Sequence, residues 1–298
     1  AIGIHPDAHR LVRHAHDRRL PGPGHALQGV EHVDVGVVGH VLRAVAIALA
    51  GDGNDVTVNG DGGNDTVDGG AGNDILHGGT EDDRVLGGDN NDTVYGDAGA
   101  DTLFGDAGDD SVSGDDGTDS LSGGAGSDTL DGGLLADTLD GGDNSDNVSG
   151  GAGNDVVGGG AGVDSLSGSA GNDTLVGGAG QDTMDGGADA DIFTFADSDS
   201  TSTLGGADII NGWAAADLIS FSHTGADYTE GGTVADGAAA LSAASIDGND
   251  VFVVYDTAND KTWVFFDKDG LNDGDDLVIG LTGNQLANIS ATNFGIGI

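Results

Sequence analysis

Cysteine is absent from this chain of 298 residues, so no disulfide supports its fold in any compartment. Proline is nearly absent: Pro6, Pro21 and Pro23 are the only three, all within the first 50 residues. Basic residues are scarce. Lys and Arg number 8 against 52 Asp and Glu, a formal net charge of −44, and beyond residue 50 only Arg84, Lys261 and Lys268 remain. Binding nucleic acid through its phosphates needs Lys and Arg in number, which excludes that partner. The same shortage argues against an anionic membrane surface. No run is long and apolar enough to cross a bilayer; the best, residues 33–50, carries Asp34, His40 and Arg43. Motifs for catalysis are missing as well. There is no H-E-x-x-H, no G-x-S-x-G and no Cys–His pair, and beyond residue 50 only His77 and His223 are histidines.

What the chain does have is aspartate at a fixed interval. Fifteen recur nine residues apart without a break: Asp65, Asp74, Asp83, Asp92, Asp101, Asp110, Asp119, Asp128, Asp137, Asp146, Asp155, Asp164, Asp173, Asp182 and Asp191. Of the 52 acids only Glu31, Glu81 and Glu230 are glutamate. A generic acidic surface mixes both types; a short carboxylate reaching a ligand from inside a tight turn calls for Asp. Two positions after each aspartate stands an apolar residue, from Val67, Leu76 and Val85 through Leu121, Leu130 and Leu139 to Met184 and Phe193. The residue between them is Thr or Ser in ten of the fifteen units, which suits an outward strand position.

The unit reads G-G-x-G-x-D-x-U-x, with U apolar. Its glycines permit left-handed backbone and close approach, so the first six residues form a turn and the last three a very short strand. The expected fold class is all-β: two units make one coil of eighteen residues, U points inward, and turns of one side stack every eighteen residues. One row then holds Asp65, Asp83, Asp101, Asp119, Asp137, Asp155, Asp173 and Asp191. The other holds Asp74, Asp92, Asp110, Asp128, Asp146, Asp164 and Asp182. Glycine-rich disorder would not keep an apolar residue in register.

Stacked turns of this kind surround each gap with carboxylates and turn carbonyls. Candidate metal-site residues are the fifteen aspartates and turn glycines such as Gly69, Gly70, Gly72, Gly123, Gly124, Gly126, Gly150, Gly151, Gly153, Gly177, Gly178 and Gly180. Many hard oxygens in flexible geometry suit Ca²⁺ better than Mg²⁺, which demands a small octahedron and keeps its waters. Several calcium ions between stacked turns are the expected cofactor. One inward apolar residue per nine is a thin core, so the metal is expected to decide whether the chain folds.

Residues 51–194 with this repeat resemble the calcium-binding nonapeptides of the RTX (repeats-in-toxin) family. The resemblance implies a right-handed parallel β-roll, a secreted, extracellular or cell-surface protein, and export by a type I secretion machine. Several units depart from the pattern. Asp55 lies ten residues before Asp65, which implies an insertion or an irregular start. The fourth place is Asn90 and Asn144 in two units, and Glu81, Leu135 and Asp189 in three others. Asn tolerates left-handed backbone. The turns Gly78–Asp83 and Gly132–Asp137 are expected to bind weakly or not at all.

Three regions follow from composition: 1–50, 51–194 and 195–298. The first holds seven of nine histidines and five of eight basic residues. Val33, Val37, Val41, Val45 and Leu49 follow roughly helical spacing. This segment is expected to be either a helix covering the end of the roll or a disordered lead, and without an initiator Met it is also consistent with a cut end of a longer protein. No charged-then-apolar leader opens the chain.

The third region resembles the segment that follows the roll in serralysin-type metalloproteases and related RTX proteins. The residues that carry this are Asp208-Ile209-Ile210-Asn211-Gly212-Trp213 and Asp217-Leu218-Ile219-Ser220-Phe221-Ser222. The family has D-x-I-x-x-F and D-x-I-x-L-S there. Asp208 and Asp217 are expected to extend the rows by one more ion. Residues 251–255 and 262–266 flank a hairpin signal. The close, Ser290 to Phe294, resembles the end of RTX secretion domains. Asp267 and Asp269 form no EF-hand, because Leu271 occupies a ligand place.

Two functional readings stay open. One is a secreted, non-enzymatic calcium-binding protein with a structural, surface-layer or adhesive role. The other is the C-terminal calcium-binding and secretion half of an RTX enzyme, a metalloprotease or lipase, without its catalytic domain. Leu86 and Phe104 hold the same outward place in neighbouring coils, with Tyr95 on the opposite side. The pair suggests a contact for self-association or for the N-terminal segment.

Overall fold

The computed structural model describes residues 31–34, 46–48, 55–195, 207–214, 216–221, 227–234, 250–256, 261–266 and 277–282. Among them every regular element is a strand. Along the roll strands alternate between two sheets, apart from the short consecutive pair Ser111–Ser113 and Asp116–Gly117 in the larger one. The larger, of 15 strands, runs Glu31–Asp34, Val56–Asn59, Ile75–Thr80, Thr93–Gly99 and onward through Thr129–Leu134 and Thr183–Asp185. The smaller, of 10 strands, runs Ala46–Ala48, Thr66–Ala71, Arg84–Asp89 and onward to Ile192–Phe195 and Leu218–Phe221. All pairings within the roll are parallel and join residues eighteen apart, as Ser120↔Thr138 and Leu121↔Leu139 do. The nine-residue period thus becomes an all-β parallel roll.

The core is a single file per sheet. Val67, Leu76, Val85, Val94 and Leu103 are fully buried, and the file continues through Val157 and Leu175 to Met184 and Phe193. Alternation along the strands accounts for this. The burial of Ser120–Ala125 runs exposed, buried, half-buried, buried. The strands are longer than the three residues the unit suggests. Thr129–Leu134 includes the first three residues of the following turn, with Gly133 paired to Gly151 and Leu134 to Ala152. The reason is the stacking itself: each turn finds an identical turn above it, so its backbone continues the ladder, as where Leu134 N–H donates to the Asp115 carbonyl at 2.9 Å.

The helix expected between residues 30 and 50 is not what forms at its two ends. Glu31–Asp34 and Ala46–Ala48 are strands, parallel to Val56–Asn59 and Thr66–Ala71. Val33 pairs with Val58 and Ile47 with Val67, so both take apolar places of a preceding coil. An open sheet edge offers a row of N–H and C=O groups, and pairing with it outweighs a helical spacing that five residues carry. The rest of the first 50 residues lies outside the described ones.

At the other end, Asp208–Asn211 follows Thr183–Asp185 in the larger sheet, and Leu277–Thr282 pairs with it in parallel. The expected hairpin is present: Asp250–Asp256 runs antiparallel to Lys261–Phe266, with Val253 opposite Val264. Phe193, Phe195, Ile210, Trp213, Ile219, Val264, Ile279 and Leu281 are buried here. This end therefore has a broader core than the roll.

Candidate metal centre

Each aspartate of the two rows stands where a turn enters a strand, and each is at most 4 % exposed. Burial of so many acids is tolerable only with partners. One oxygen of each has a protein partner. The Asp101 amide donates to Asp119 Oδ1 at 2.8 Å, Asp119 to Asp137 at 2.7 Å and Asp137 to Asp155 at 2.8 Å. The other row repeats this from Asp74 to Asp92, Asp110, Asp128 and Asp146, each at 2.8 Å. The second oxygen is different. Oδ2 of Asp83, Asp92, Asp101, Asp110, Asp119, Asp128, Asp137, Asp146, Asp155, Asp164 and Asp173 is buried and accepts no hydrogen bond. Eleven such atoms in a stack are a large departure from the usual satisfaction of buried polar groups.

The glycines explain how the oxygens are brought together. The first place of the unit is glycine in all fifteen turns, and there the demand is space. A β-carbon on Gly69 would stand 2.5 Å from Asp74 Oδ2 and 2.8 Å from the Gly87 carbonyl of the next coil. Gly123, Gly150 and Gly177 hold the same place over Asp128, Asp155 and Asp182. The second place has left-handed backbone in all fifteen turns and the fourth in twelve (Gly99, Gly117 and Gly153 are the exceptions), as at Gly124 (φ 110°) and Gly126 (φ 147°). Their carbonyls face the same places of the following coil, as Gly124 faces Gly142 and Gly162 faces Gly180. Each gap thus collects a carboxylate oxygen and turn carbonyls. No three His, Asp or Glu side chains converge among the described residues, so carbonyls must supply most of any cation's ligands. That donor set fits Ca²⁺, which takes about six to eight oxygens.

Electrostatics points the same way. Burial pushes Asp83, Asp92 and Asp146 up to about 7, and Asp101, Asp110, Asp119, Asp137 and Asp191 up to about 6. The amide hydrogen bond from the preceding coil partly opposes burial in each, and neighbouring carboxylates add to the rise. Asp128, Asp155, Asp164 and Asp173 are raised by burial too. The stack holds more negative charge than its own groups neutralise.

Models of the RTX calcium-binding nonapeptide repeat (4 copies) match residues 48–76, 77–112, 86–121, 104–139, 122–157, 131–166, 158–193 and 195–222. The matched segments make up more than half of the chain. It belongs to the RTX calcium-binding repeat family. No curated protein matches it. Among solved structures, this RTX chain is similar to two repeat subunits of the Azotobacter vinelandii mannuronan C5-epimerase. AlgE6R2 is 22 % identical over 54 % of this chain and 91 % of that one, with a TM-score of 0.36. AlgE6R3 is 27 % identical over 55 % and 79 %, with a TM-score of 0.30.

The irregular units of the RTX roll are resolved by geometry. The first has no insertion. Val56 takes the aspartate place, with its amide donating to Asp74 Oδ1 at 2.8 Å, and Asp55 stands one place earlier. Glu81 and Leu135 adopt left-handed φ of 74° and 73°, close to the 79° of Asn90. Their turns keep the common path, with Asp83 and Asp137 Oδ2 placed as elsewhere. The weakness expected there rests on strain alone. Glu81 also reaches back, its carboxylate accepting the Gly63 amide at 2.9 Å and the Thr80 hydroxyl at 2.8 Å. Asp208 and Asp217 continue the two rows after a longer loop, accepting from the Asp182 and Asp191 amides at 2.9 and 3.2 Å. Asp267, Asp269, His223 and Ser290 to Phe294 lie outside the described residues.

A further ladder has little trace in the sequence. The fifth place of the unit, often Asn, Asp or Ser, accepts the amide one coil later: Asp82 from Ala100 at 3.1 Å, Asp109 from Ser127 at 2.9 Å and Asn154 from Asn172 at 2.9 Å. Its only sequence signal is that short polar preference. On the outer faces, Leu86 and Phe104 are neighbours as expected, both half-buried, with the Arg84 guanidinium 4.4 Å over the Phe104 ring. On the opposite face Tyr95 stacks on His77 at 4.6 Å.

Proposed function

We propose that this chain is a secreted, non-catalytic calcium-binding protein whose roll folds where calcium is plentiful, with a structural, surface-layer or adhesive role. The observation that carries this reading is the stack of eleven buried carboxylate oxygens without hydrogen-bond partners. Aspartates of the two rows, with carbonyls of turns such as Gly69–Asp74 and Gly123–Asp128, would hold the ions. Calcium there supplies positive charge against carboxylates that otherwise repel across every gap. The protein's own part is to align those oxygens by stacking, and the amide donated to each Oδ1 aims the carboxylate. An ion that binds the folded chain alone stabilises it by mass action. A site with Kd near 10⁻⁴ M at about 1 mM calcium contributes about 1.4 kcal/mol, which vanishes at about 10⁻⁷ M.

Circular dichroism tests this directly. Millimolar Ca²⁺ converts the far-ultraviolet signal from coil to β, and millimolar Mg²⁺ does not; an ordered roll in calcium-free buffer overturns the reading. Export by a type I machine is supported by the resemblance of residues 195–298 to RTX secretion domains. Deleting the last fifty residues then traps the chain inside a type I-competent cell, and undiminished export counts against it. Self-association through Leu86 and Phe104 is read by sedimentation in calcium. Leu86→Ser with Phe104→Ser lowers the associated fraction, and unchanged sedimentation removes that contact.

A further inference from the structure

We propose that Asp217 closes its row as a hydrogen-bonded cap and is not a calcium ligand, so that the ions of that row stop at Asp191. The inference rests on the calcium reading above and concerns one position that the sequence places with the ligands.

In each of the fifteen repeat turns, the glycine five residues before the aspartate shelters that aspartate's own Oδ2. The turn Gly212–Asp217 has the glycine and the aspartate at the same spacing, but not this arrangement. The space beside Gly212 is taken by Asp185, whose Oδ1 lies 2.6 Å from where a β-carbon would stand. Gly212 itself has φ 65°, inside the left-handed region, which none of the fifteen first-place glycines occupies. Asp217 Oδ2 turns into its own loop and accepts the Ala214 amide at 2.7 Å, while Oδ1 accepts the Asp191 amide at 3.2 Å. Both oxygens are held by N–H donors of the backbone. The Ala214 N–H supplies to Oδ2 the positive partner that a cation would otherwise be, so a second ion-facing oxygen is no longer available.

Sequence accounts for the switch. Residues 213–216 are Trp-Ala-Ala-Ala where the repeats have glycine at two of four places. Trp213 is 4 % exposed and packs on Phe193, ring centroids 6.0 Å apart. A bulky apolar anchor at the second place turns the loop inward, and Asp217 reaches back three residues to tie it off, its carboxylate accepting the Ala214 amide while its own amide donates to the Ala214 carbonyl at 3.1 Å.

The test counts bound calcium on the full chain by equilibrium dialysis with radioactive calcium, comparing wild type, Asp173→Asn, Asp217→Asn and Asp217→Ser. Asp173→Asn loses at least one ion per chain. Asp217→Asn keeps the wild-type count, yet changes the near-ultraviolet dichroism of the Trp213 loop. Should that variant not fold, Asp217→Ser, which keeps an acceptor for the Ala214 amide but has no carboxylate, carries the count. A loss of ions at position 217 equal to that at position 173 overturns the proposal. If wild type binds no calcium, the reading it rests on falls first.

Discussion

Replacing Asp119 by Asn changes one atom and separates two roles. Asp119 Oδ1 accepts the Asp101 amide at 2.8 Å, and an asparagine oxygen keeps that bond. Oδ2 is buried without a partner, and both it and the Gly132 carbonyl lie 2.5 Å from where a β-carbon on Gly114 would stand. In calcium-free buffer two oxygens therefore crowd one place. Asn removes the buried negative charge and puts a donor into that space, worth about 1 kcal/mol net. In calcium the change has the opposite sign. An interior aspartate borders two gaps, and losing two sites of about 1.4 kcal/mol each costs about 3 kcal/mol. The net expectation for Asp119→Asn is about 1 kcal/mol more stable without calcium and about 2 kcal/mol less stable in about 1 mM calcium. The calcium-free chain is measured by the concentration of an excluded osmolyte that folds it, and the loaded chain by its urea midpoint. A variant destabilised alike in both conditions would show that the carboxylate's role is packing, and the reasoning would fail.

Four further outcomes follow from the geometry and the charge of the stack. Gly141→Ala places a β-carbon 2.6 Å from both Asp146 Oδ2 and the Gly159 carbonyl and costs about 1–3 kcal/mol in calcium. Gly158→Ala, whose nearest contact is 3.4 Å, stabilises by about 0.5 kcal/mol as read from the urea midpoint, and equal effects refute the assignment of the first place. Leu135, at φ 73° and 62 % exposed, becomes about 1 kcal/mol more stable as Gly, by the same assay. Burial raises the folded pKa of Asp119 to about 6 and of Asp146 to about 7, so protons favour the folded state. Their contribution is fully present below the unfolded value near 4 and is lost as pH rises through about 6 to about 7. The calcium-free chain gains β signal on acidification from about pH 7 to about pH 4, while the calcium midpoint rises; a pH-independent signal contradicts the shifts.

The period of nine by itself determined the roll of this protein. A carboxylate, an apolar residue and glycines at set places admit one compact solution, a coil of two units, because the inward residue must meet its counterpart eighteen positions on. Val67, Leu76 and their successors are buried where the spacing puts them, and the aspartates form two rows for the same reason. Three things were decided only by stacking. Pairing with an open edge made strands of Glu31–Asp34 and Ala46–Ala48 where side-chain spacing favoured a helix. Gly123 and Gly124 read alike in sequence, yet Asp128 and the Gly141 carbonyl of the next coil take the space beside the first, whereas the second has left-handed φ and lies against the Asp106 carbonyl of the coil before. Asp217 keeps the spacing of a ligand, but the Trp213 loop and Asp185 around it turn its oxygens to the backbone. Spacing along the chain fixes which residues share a row; what each meets there depends on neighbours from other coils, which spacing does not contain.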